Sequence, residues 1–340
     1  MGARGVALAA RAAHALTVAP LHRLSLLALG GLAACPAFAA DLQYPSRPLR
    51  MICPSPPGGA VDFLARTVGQ KIAEGLGVTV VVDNRAGASA VIASELLVKS
   101  APDGYTLMMG YSTHATNPMF IKKLPYDSVK DFAGVALVGY IPLLLVVHPA
   151  VPATSVQGLI ALAKSKPGQL QYAAGAAGGG PAMAGQMFNY LAGVDVVRVP
   201  YKGNAPALID LLGGRVTMMF DTIATSLVHA KTGRLRMLAV TSTQRSSLAP
   251  EMPTMAEAGL PGFDVRAWFA VMVPARTPRD IVGTLNAVIV KAFKDPEFRS
   301  RLSHEGVEVV GGTPEQTDAF IRNEMSRWRK VISAAGMTAD

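Results

Sequence analysis

The chain has 340 residues, of which half are hydrophobic, with a formal net charge of +9 and two cysteines. Its Lys and Arg residues are spread among acids, without a basic block, so nucleic acid is not an expected partner. The histidines are scattered without metal-ligand spacing, and no pair of acids suits glycoside hydrolysis. We therefore expect no metal, no cofactor and no catalytic residue.

Residues 1–39 have the features of a secretory signal peptide. They contain three arginines and no acids, an apolar core at 24–34, and the small-residue pattern Ala37-Phe38-Ala39. The apolar core is much shorter than the roughly 20 residues that span a bilayer. We expect export with cleavage after Ala39, and the lipobox-like stretch before Cys35 leaves a lipid anchor at Cys35 as an alternative.

Removal of this segment leaves 301 residues with a net charge of +6. That length allows two domains of ordinary size, each with its own core. Of the two cysteines only Cys53 remains, so an internal disulfide is excluded and stability must come from packing. The mildly basic balance of an exported chain favours anionic ligands.

Residues 53–60, called the first glycine loop, have the sequence Cys53-Pro54-Ser55-Pro56-Pro57-Gly58-Gly59-Ala60. It lies between a predicted strand at 49–52 and a helix that begins near Val61. Proline stiffens the entry, glycine uncovers backbone N–H groups, and the helix N-terminus adds partial positive charge. A carboxylate is the simplest ligand, with Ser55, Pro57, Gly58, Gly59 and Ala60 as predicted contacts. Taken alone, the loop is also explained by a plain strand-to-helix turn.

A second group of candidate contacts follows a later strand. After the first helix come a strand at 78–82, a helix at 90–99 and an apolar strand at 105–110. Ligands of open α/β sheets bind at the carboxyl ends of strands, so Ser112, Thr113 and His114 are predicted to form a second wall of the site. A solvated loop that caps a turn at Asn117-Pro118 explains the same residues.

Residues 175–181, called the second glycine loop, again follow a predicted strand and precede a predicted helix. It is preceded by an apolar run at 143–147 that suits a crossover between domains, a helix at 154–163 capped by Thr154, and a strand at 170–174. We predict that Ala174, Gly175, Gly178 and Gly179 form a second backbone site for an anion.

A dinucleotide-binding fingerprint is the main rival interpretation of the second glycine loop. The loop follows a strand, opens a predicted helix at 182–191, and has Asp195 at about the right distance downstream. The G-x-G-x-x-G spacing fails, however, because the third glycine would fall on Met183. A nicotinamide cofactor is therefore not expected.

The elements after the second glycine loop continue the alternation of strands and helices. We predict strands at 194–199, 216–220 and 235–241, helices at 206–212, 278–293 and 313–332, a short helix and turn at 254–262, and an extended return crossover at 265–273 that pairs with the run at 143–147. Asp221 and Thr222 are predicted to contact the ligand, although capping of the local turn explains Asp221 equally well. The alternation implies an α/β fold with mixed, mainly parallel sheets covered by helices on both faces.

The two crossovers divide the mature chain into two predicted domains. The first consists of residues 40–142 and 266–340, and the second of residues 143–265. Two extended connections would let the domains rotate as rigid units, so we expect hinge closure on ligand binding.

From Tyr44 to near Gly336, the chain resembles the extracytoplasmic solute receptors of tripartite tricarboxylate transporters, known as the Bug family. Many separated motifs in the right order carry this resemblance, and no single motif would. They are residues 44–48 (YPSRP), 56–59 (PPGG), 84–87 (NRAG), 101–107 (APDGYTL), 124–127 (LPYD), 199–203 (VPYKG), 219–221 (MFD) and 253–259 (PTMAEAG).

The resemblance implies a two-domain periplasmic-binding-protein fold of type II, in which the two glycine loops hold one ligand carboxylate between the domains. It implies a monomeric periplasmic receptor, not an enzyme, that delivers a small carboxylate to the membrane permease subunits of the transporter. The ligand is left open among di- and tricarboxylates, amino acids and aromatic acids. The alternative is an exported ligand sensor, or an enzyme, on the same fold.

The chain departs from the family pattern at three places near the predicted site. Ser55 stands where an aromatic residue is frequent, and the second glycine loop has alanine, glycine and Pro181 where hydroxyl side chains are common. Thr222 replaces the asparagine that commonly follows the shared Asp221. Binding of a carboxylate by backbone groups is therefore expected to persist, whereas the identity of the ligand stays open.

Overall fold

The computed structural model describes residues 44–334, in which strands and helices alternate. The strands of this part are β1 (Leu49–Cys53), β2 (Val80–Asn84), β3 (Thr106–Tyr111), β4 (Phe132–Val147), β5 (Gln171–Ala174), β6 (Val197–Pro200), β7 (Met218–Thr222), β8 (Arg236–Val240), β9 (Arg266–Pro274) and β10 (Glu308–Gly311). Its helices are α1 (Ala60–Leu76), α2 (Val91–Val98), α3 (Thr113–Phe120), α4 (Val156–Ser165), α5 (Gly180–Ala192), α6 (Asn204–Leu212), α7 (Ile223–Lys231), α8 (Arg279–Ala292), α9 (Pro296–His304) and α10 (Pro314–Ala334).

These strands form one mixed sheet around the long central strand β4. In its first half, β1 is parallel to β2 and β3, and β9 is antiparallel to both β3 and β4. In its second half, β5 is parallel to β6 and β7, while β7 and β8 are antiparallel to β4. β4 belongs to both halves, because residues 132–142 pair with β9 and residues 143–147 pair with β7 and β8.

The register places the carboxyl ends of the two halves opposite each other. Tyr111, at the end of β3, pairs with Phe269 of β9, and Phe269 pairs on its other side with Gly139 of β4. The end of β7, Thr222, pairs with Leu143 of β4, and β7 runs toward β3. Gly139 and Leu143 are four residues apart on β4, which corresponds to about 13 Å of extended strand. The loops that follow the strands of the two halves therefore face each other across the middle of β4.

Helices cover both faces of each half, as the predicted α/β fold requires. In the first half, side chains of α1 and α8 pack with Met51 on one face, and side chains of α2 and α10 pack with Ile52 on the other. In the second half, α4 and α5 cover one face and α6 covers the other. α10 contacts both halves, because Ile321 lies in a core cluster of the first and Trp328 in a core cluster of the second.

Several predicted elements need correction. The helices α3, α7 and α9 and the strand β10 were not predicted; in α3, the pair Asn117-Pro118 indicated a turn, whereas the segment is helical and buried. Residues 254–262 form turns, not the predicted short helix. The cap of α4 is Ser155 and not Thr154, because the Ser155 Oγ accepts the Gly158 N–H at 3.1 Å.

The connections between the halves also differ in detail from the prediction. β9 pairs with residues 132–142 of β4 and not with 143–147, so the return to the first half is complete at Arg266. The domain boundaries and the hinge closure stay predictions. The predicted signal peptide lies outside the described residues. Between residues 44 and 334, no helix is long and apolar enough to cross a membrane.

Candidate ligand-binding site

The first glycine loop connects the end of β1 to the start of α1 and is exposed from Pro56 to Gly59. Gly58 has a φ of +87°, which only glycine adopts readily, and the extended Gly59 is the N-cap of α1. Among the described residues, the N–H groups of Gly59, Ala60 and Val61 donate to no acceptor. These three donors at the start of a 17-residue helix form a backbone site suited to an anion.

A buried carboxylate beneath the first glycine loop holds it in place. Asp62 is 4% exposed, and it accepts the Gly58 N–H at 3.0 Å, the Asn84 amide at 2.8 Å and the Arg66 Nε at 3.0 Å. Burial raises the pKa of Asp62, but the hydrogen bonds from Arg66, Asn84 and Gly58 outweigh it and hold the pKa below its usual value. Asn84 also donates to the Ser55 carbonyl at 2.9 Å, so the loop is fixed at two points.

The second glycine loop connects β5 to α5 and is held mainly by packing. Gly178, Gly179 and Gly180 are buried, and the Thr116 hydroxyl of α3 donates to the Gly178 carbonyl at 2.8 Å. A Cβ on Gly178 would lie 2.2 Å from the Thr116 Oγ1, so glycine is required there by close approach. The N–H groups of Gly178 and Gly180 donate to no acceptor between residues 44 and 334. Buried N–H groups of this kind are satisfied by a ligand or by water.

The three predicted contacts after β3 lie inside the fold. The Ser112 Oγ accepts the backbone N–H of Trp268 at 3.1 Å, and Thr113 is fully buried. The His114 Nε2 lies 2.8 Å from the Ser128 carbonyl, to which it donates. Burial lowers the pKa of His114 to about 4, so the ring is neutral at neutral pH. These bonds position α3 behind the second glycine loop, and direct ligand contact by the three residues stays a prediction.

Asp221, near the end of β7, is held by side chains of α6 and α7. It is 1% exposed; its Oδ1 accepts the Asn204 amide at 3.0 Å, and its Oδ2 accepts the Ser226 hydroxyl at 3.0 Å. Burial raises the pKa of Asp221 to about 6, against the effect of these bonds and one from the Thr222 N–H. Both interpretations of Asp221, ligand contact and capping of the local turn, stay predictions, as does ligand contact by Thr222.

Contacts in the second half and α3 bring several predicted residues together. Thr116 joins α3 to the second glycine loop, and Asn204, which begins α6, joins the adjoining turn to Asp221. A Cβ on Gly175 would lie 3.7 Å from the Gly203 Cα, so that turn lies against the loop. Within residues 44–334, no hydrogen bond joins the two glycine loops to each other. They lie instead on facing edges of the two halves.

Sequence reasoning missed the residues that support the loops. Asp62, Arg66 and Asn84 hold the first glycine loop, and Thr116 and Arg198 contact the second, where the Arg198 Nη1 donates to the Gly175 carbonyl at 2.8 Å. An acid in the first turn of α1 is a recognised helix-start signal and could have drawn attention to Asp62. The other partners are distant in sequence and carry no local signal.

A mixed sheet whose two halves present glycine loops to each other across one shared strand is an arrangement that suits a solute-binding protein. The model of the tripartite tricarboxylate transporter family receptor matches residues 64–337, and the chain belongs to that family. This result confirms the family resemblance and the fold class predicted from the sequence.

Individual relatives are similar over nearly the whole chain. Protein BugT of Bordetella pertussis is 39% identical over 312 residues, which cover 91% of this chain and 95% of BugT. A structure described as R. palustris Rpa4515 with adipate is 36% identical with a TM-score of 0.83, over 87% of this chain and 100% of the other. MatC from Rhodopseudomonas palustris with bound malate is 32% identical with a TM-score of 0.78, over 85% and 100% of the two chains.

Proposed function

We propose that this chain is a periplasmic receptor that binds a small carboxylate between its two halves and delivers it to the permease of a tripartite tricarboxylate transporter. The observation that carries the proposal is the register of β4, which sets two glycine loops with unused N–H groups on facing edges. A carboxylate has two oxygens and can accept from both edges at once.

The chemistry of the two loops favours an anion without requiring a charged side chain. The N-termini of α1 and α5 each add partial positive charge to the N–H groups of the adjoining loop. Charge-assisted hydrogen bonds of this kind are shorter and stronger than those between neutral groups. The first loop is exposed from Pro56 to Gly59 and the second is buried from Gly178 to Gly180, so we propose that a ligand enters against the first and is enclosed as the halves close.

The relatives support the same ligand chemistry. Rpa4515 is described with adipate and MatC with malate, and both are small dicarboxylates. The family is described as a receptor of a transporter, which supports a role in binding and delivery without turnover. We propose a monomer that is exported by the predicted signal peptide, cleaved after Ala39, with a lipid anchor at Cys35 as the alternative form.

The test is calorimetric titration of the purified mature chain with succinate, malate, adipate, citrate and benzoate. At least one should bind with a one-to-one stoichiometry. Gly59→Val should weaken that ligand roughly 10- to 100-fold, the cost of losing one or two charge-assisted hydrogen bonds. A Cβ on Gly59 lies 3.5 Å from the Ser55 Oγ, an ordinary contact, so folding should survive.

Gly283→Ala is the matched control, because a Cβ at that position of α8 meets no atom within 4 Å. It should leave affinity unchanged. Native mass spectrometry after gentle purification would identify a retained ligand in parallel. Failure of every carboxylate to bind, together with a retained ligand that has no acidic group, would overturn the proposed function.

A further inference from the structure

A cavity of about 460 Å³ opens in the second half, at the opposite end of β5 from the second glycine loop. It is lined by residues from four segments, 148–152, 162–166, 169–171 and 214–217, and is called the basal cavity. Gln171 begins β5 at this cavity and Ala174 ends β5 at the loop, so the two places are about 10 Å apart along the strand. Small-molecule sites have volumes of roughly 300 to 1,000 Å³, a range that includes this cavity.

Several hydrogen-bond donors line the basal cavity. The Nδ1 of His148 accepts the Ala150 N–H at 3.2 Å, so the neutral ring carries its proton on Nε2. The Thr217 hydroxyl oxygen accepts the Gln171 N–H at 3.1 Å and keeps its own proton for another acceptor. The side-chain amides of Gln169 and Gln171 donate to no acceptor between residues 44 and 334. These donors are therefore available to a ligand.

The turn before β7 holds the imidazole of His148 in place. Gly214 has a φ of +68°, and a Cβ there would lie 3.4 Å from the Nδ1 and Cε1 atoms of the ring. The turn thus packs directly against the ring, and the bond from the Ala150 N–H fixes its orientation. A donor that is held in this way loses little freedom when a ligand binds.

The formal charge in the basal cavity is positive and comes mainly from Lys166. This side chain is exposed at the end of α4 and forms no ion pair within the described part of the chain. Arg215 also lines the cavity, but its charge is offset by Asp210, 2.6 Å away and outside the lining. Among the described residues that line the cavity, none is an acid. An anion is therefore favoured there over a cation.

Backbone carbonyl groups could in principle hold a cation instead, because the end of a helix carries partial negative charge. In this cavity, however, carbonyl groups of the lining already accept hydrogen bonds from the protein. They are those of His148, Leu162, Lys166, Leu170 and Gln171. An ammonium group would compete for these acceptors and would face the like charge of Lys166.

The remaining lining is apolar. Leu170 and Val216 are buried, and Val151 and Leu162 are partly buried beside them. A ligand that has only an acidic group would leave this surface in contact with water. A short hydrocarbon chain next to the acidic group would cover it, at a gain of about 0.8 kcal/mol for each CH₂ group that is fully buried.

We propose that the basal cavity is a second binding site, which takes a small organic acid with a short apolar chain. The acidic group accepts from Lys166 and from donors such as His148 and Thr217, while the chain lies against Leu162 and Leu170. This site shares no residue with the two glycine loops. It therefore does not depend on the proposed function of the space between the halves.

The test is a titration of the ²H,¹⁵N-labelled mature chain, followed by the NMR signals of the backbone N–H groups at neutral pH. The probes are hexanoate, 1-hexanol and hexylammonium, which share one chain and differ in charge. Hexanoate should shift the signals of residues 150–151 and 214–217 in a saturable way, and at least about fivefold more tightly than hexanol. Hexylammonium should give no saturable shift of these signals.

Two outcomes of the titration would overturn the proposal. One is the absence of a saturable shift at the basal cavity with hexanoate. The other is binding of hexanol or hexylammonium there as tightly as hexanoate. Signals of residues 58–61 and 178–180 report on the glycine loops separately. Binding of hexanoate at those loops alone would overturn the second site and leave the proposed function intact.

A matched pair of variants tests the role of Lys166. Lys166→Glu replaces attraction by repulsion and should weaken hexanoate at the basal cavity at least about fivefold. Lys164→Glu makes the same change two residues earlier on α4, at an exposed position outside the lining, and should change the affinity less than about twofold. Both positions are exposed, so both variants should fold, and their spectra verify this. Equal effects of the two substitutions would overturn the assignment of the acidic group to Lys166.

Discussion

In the first half of the sheet, the glycine loop is exposed and is held from beneath by hydrogen bonds to the buried Asp62. In the second half, a loop of similar composition is buried from Gly178 to Gly180 and is held by the close approach of Gly178 to Thr116 of α3. Both loops end at a helix N-terminus, and both leave N–H groups without an acceptor among the described residues.

The comparison shows that the same local pattern can be fixed by two different kinds of interaction. A loop held by hydrogen bonds at its base tolerates added side-chain volume on its exposed surface. At Gly178 the second loop tolerates no added volume, because the neighbouring atoms belong to another helix. The first loop is therefore free to adapt to a ligand, and the second is a fixed wall.

The largest difference between the two loops should appear when volume is added to each. Gly178→Val would force a side chain against Thr116 and Phe120, and overpacking of this kind costs about 3 kcal/mol or more of the free energy of unfolding. Gly59→Val meets only an ordinary contact and should cost less than about 1 kcal/mol. Urea unfolding of both variants checks this, and equal losses would show that the loops are not held differently.

The two halves should also differ in the sign of their response to pH. His114 of the first half has a pKa lowered to about 4, so its contribution to stability is lost as pH falls from 6.5 toward 4. Asp221 of the second half has a pKa raised to about 6 from 3.8, so its contribution is lost as pH rises from 4 toward 6. Each effect amounts to about 3 kcal/mol, and the two nearly cancel between pH 4 and 6.

Replacement of Asp221 should reveal the pH dependence of stability that comes from His114. Relative to the parent chain, Asp221→Asn should gain about 3 kcal/mol in free energy of unfolding between pH 4 and pH 7. Its own stability should then fall steeply on acidification, because only the His114 effect remains. Urea unfolding at four pH values measures the difference between the two proteins, and a difference that does not vary with pH would contradict the assigned burial of Asp221.

A smaller effect is expected at the base of the first loop. Asp62→Ala removes the acceptor of the Gly58 N–H and one acceptor each of Asn84 and Arg66, and the loss of these hydrogen bonds to a buried carboxylate is worth about 2 kcal/mol. The exposed ion pair of Asp103 with Arg47 is the matched control, and Asp103→Ala should cost less than about 1 kcal/mol. Thermal unfolding compares them, and equal losses would mean that Asp62 does not hold the loop.

Much of the fold follows from local signals in the sequence. β1 and α1 lie within one residue of their predicted bounds, because an apolar run, a pair of glycines and helical spacing each mark a boundary there. α3 was missed because Asn117-Pro118 has the composition of a turn, whereas burial of the segment and the bond from Thr116 to Gly178 stabilise a helix.

The candidate site, like the fold, was predictable from the sequence only in part. The two glycine loops are visible in the sequence because their glycines and prolines act locally. Their supports are not visible, since Asp62 and Asn84 are 22 residues apart and Thr116 and Gly178 are 62 residues apart. The occupied state of Asp221 likewise depends on Asn204 and Ser226, which only the folded chain brings together.

The central claim is that both glycine loops hold one carboxylate, and a double-mutant cycle tests it most directly. Gly59→Ala and Gly179→Ala keep backbone angles that alanine adopts, with φ of −94° and −75°, while each adds a methyl group to one loop. Affinity for the tightest-binding carboxylate is measured by calorimetry in the parent chain, both single variants and the double variant. If one carboxylate contacts both loops, the double variant should lose clearly less binding free energy than the sum of the single losses. Losses that add fully, or no loss in either single variant, would contradict the account.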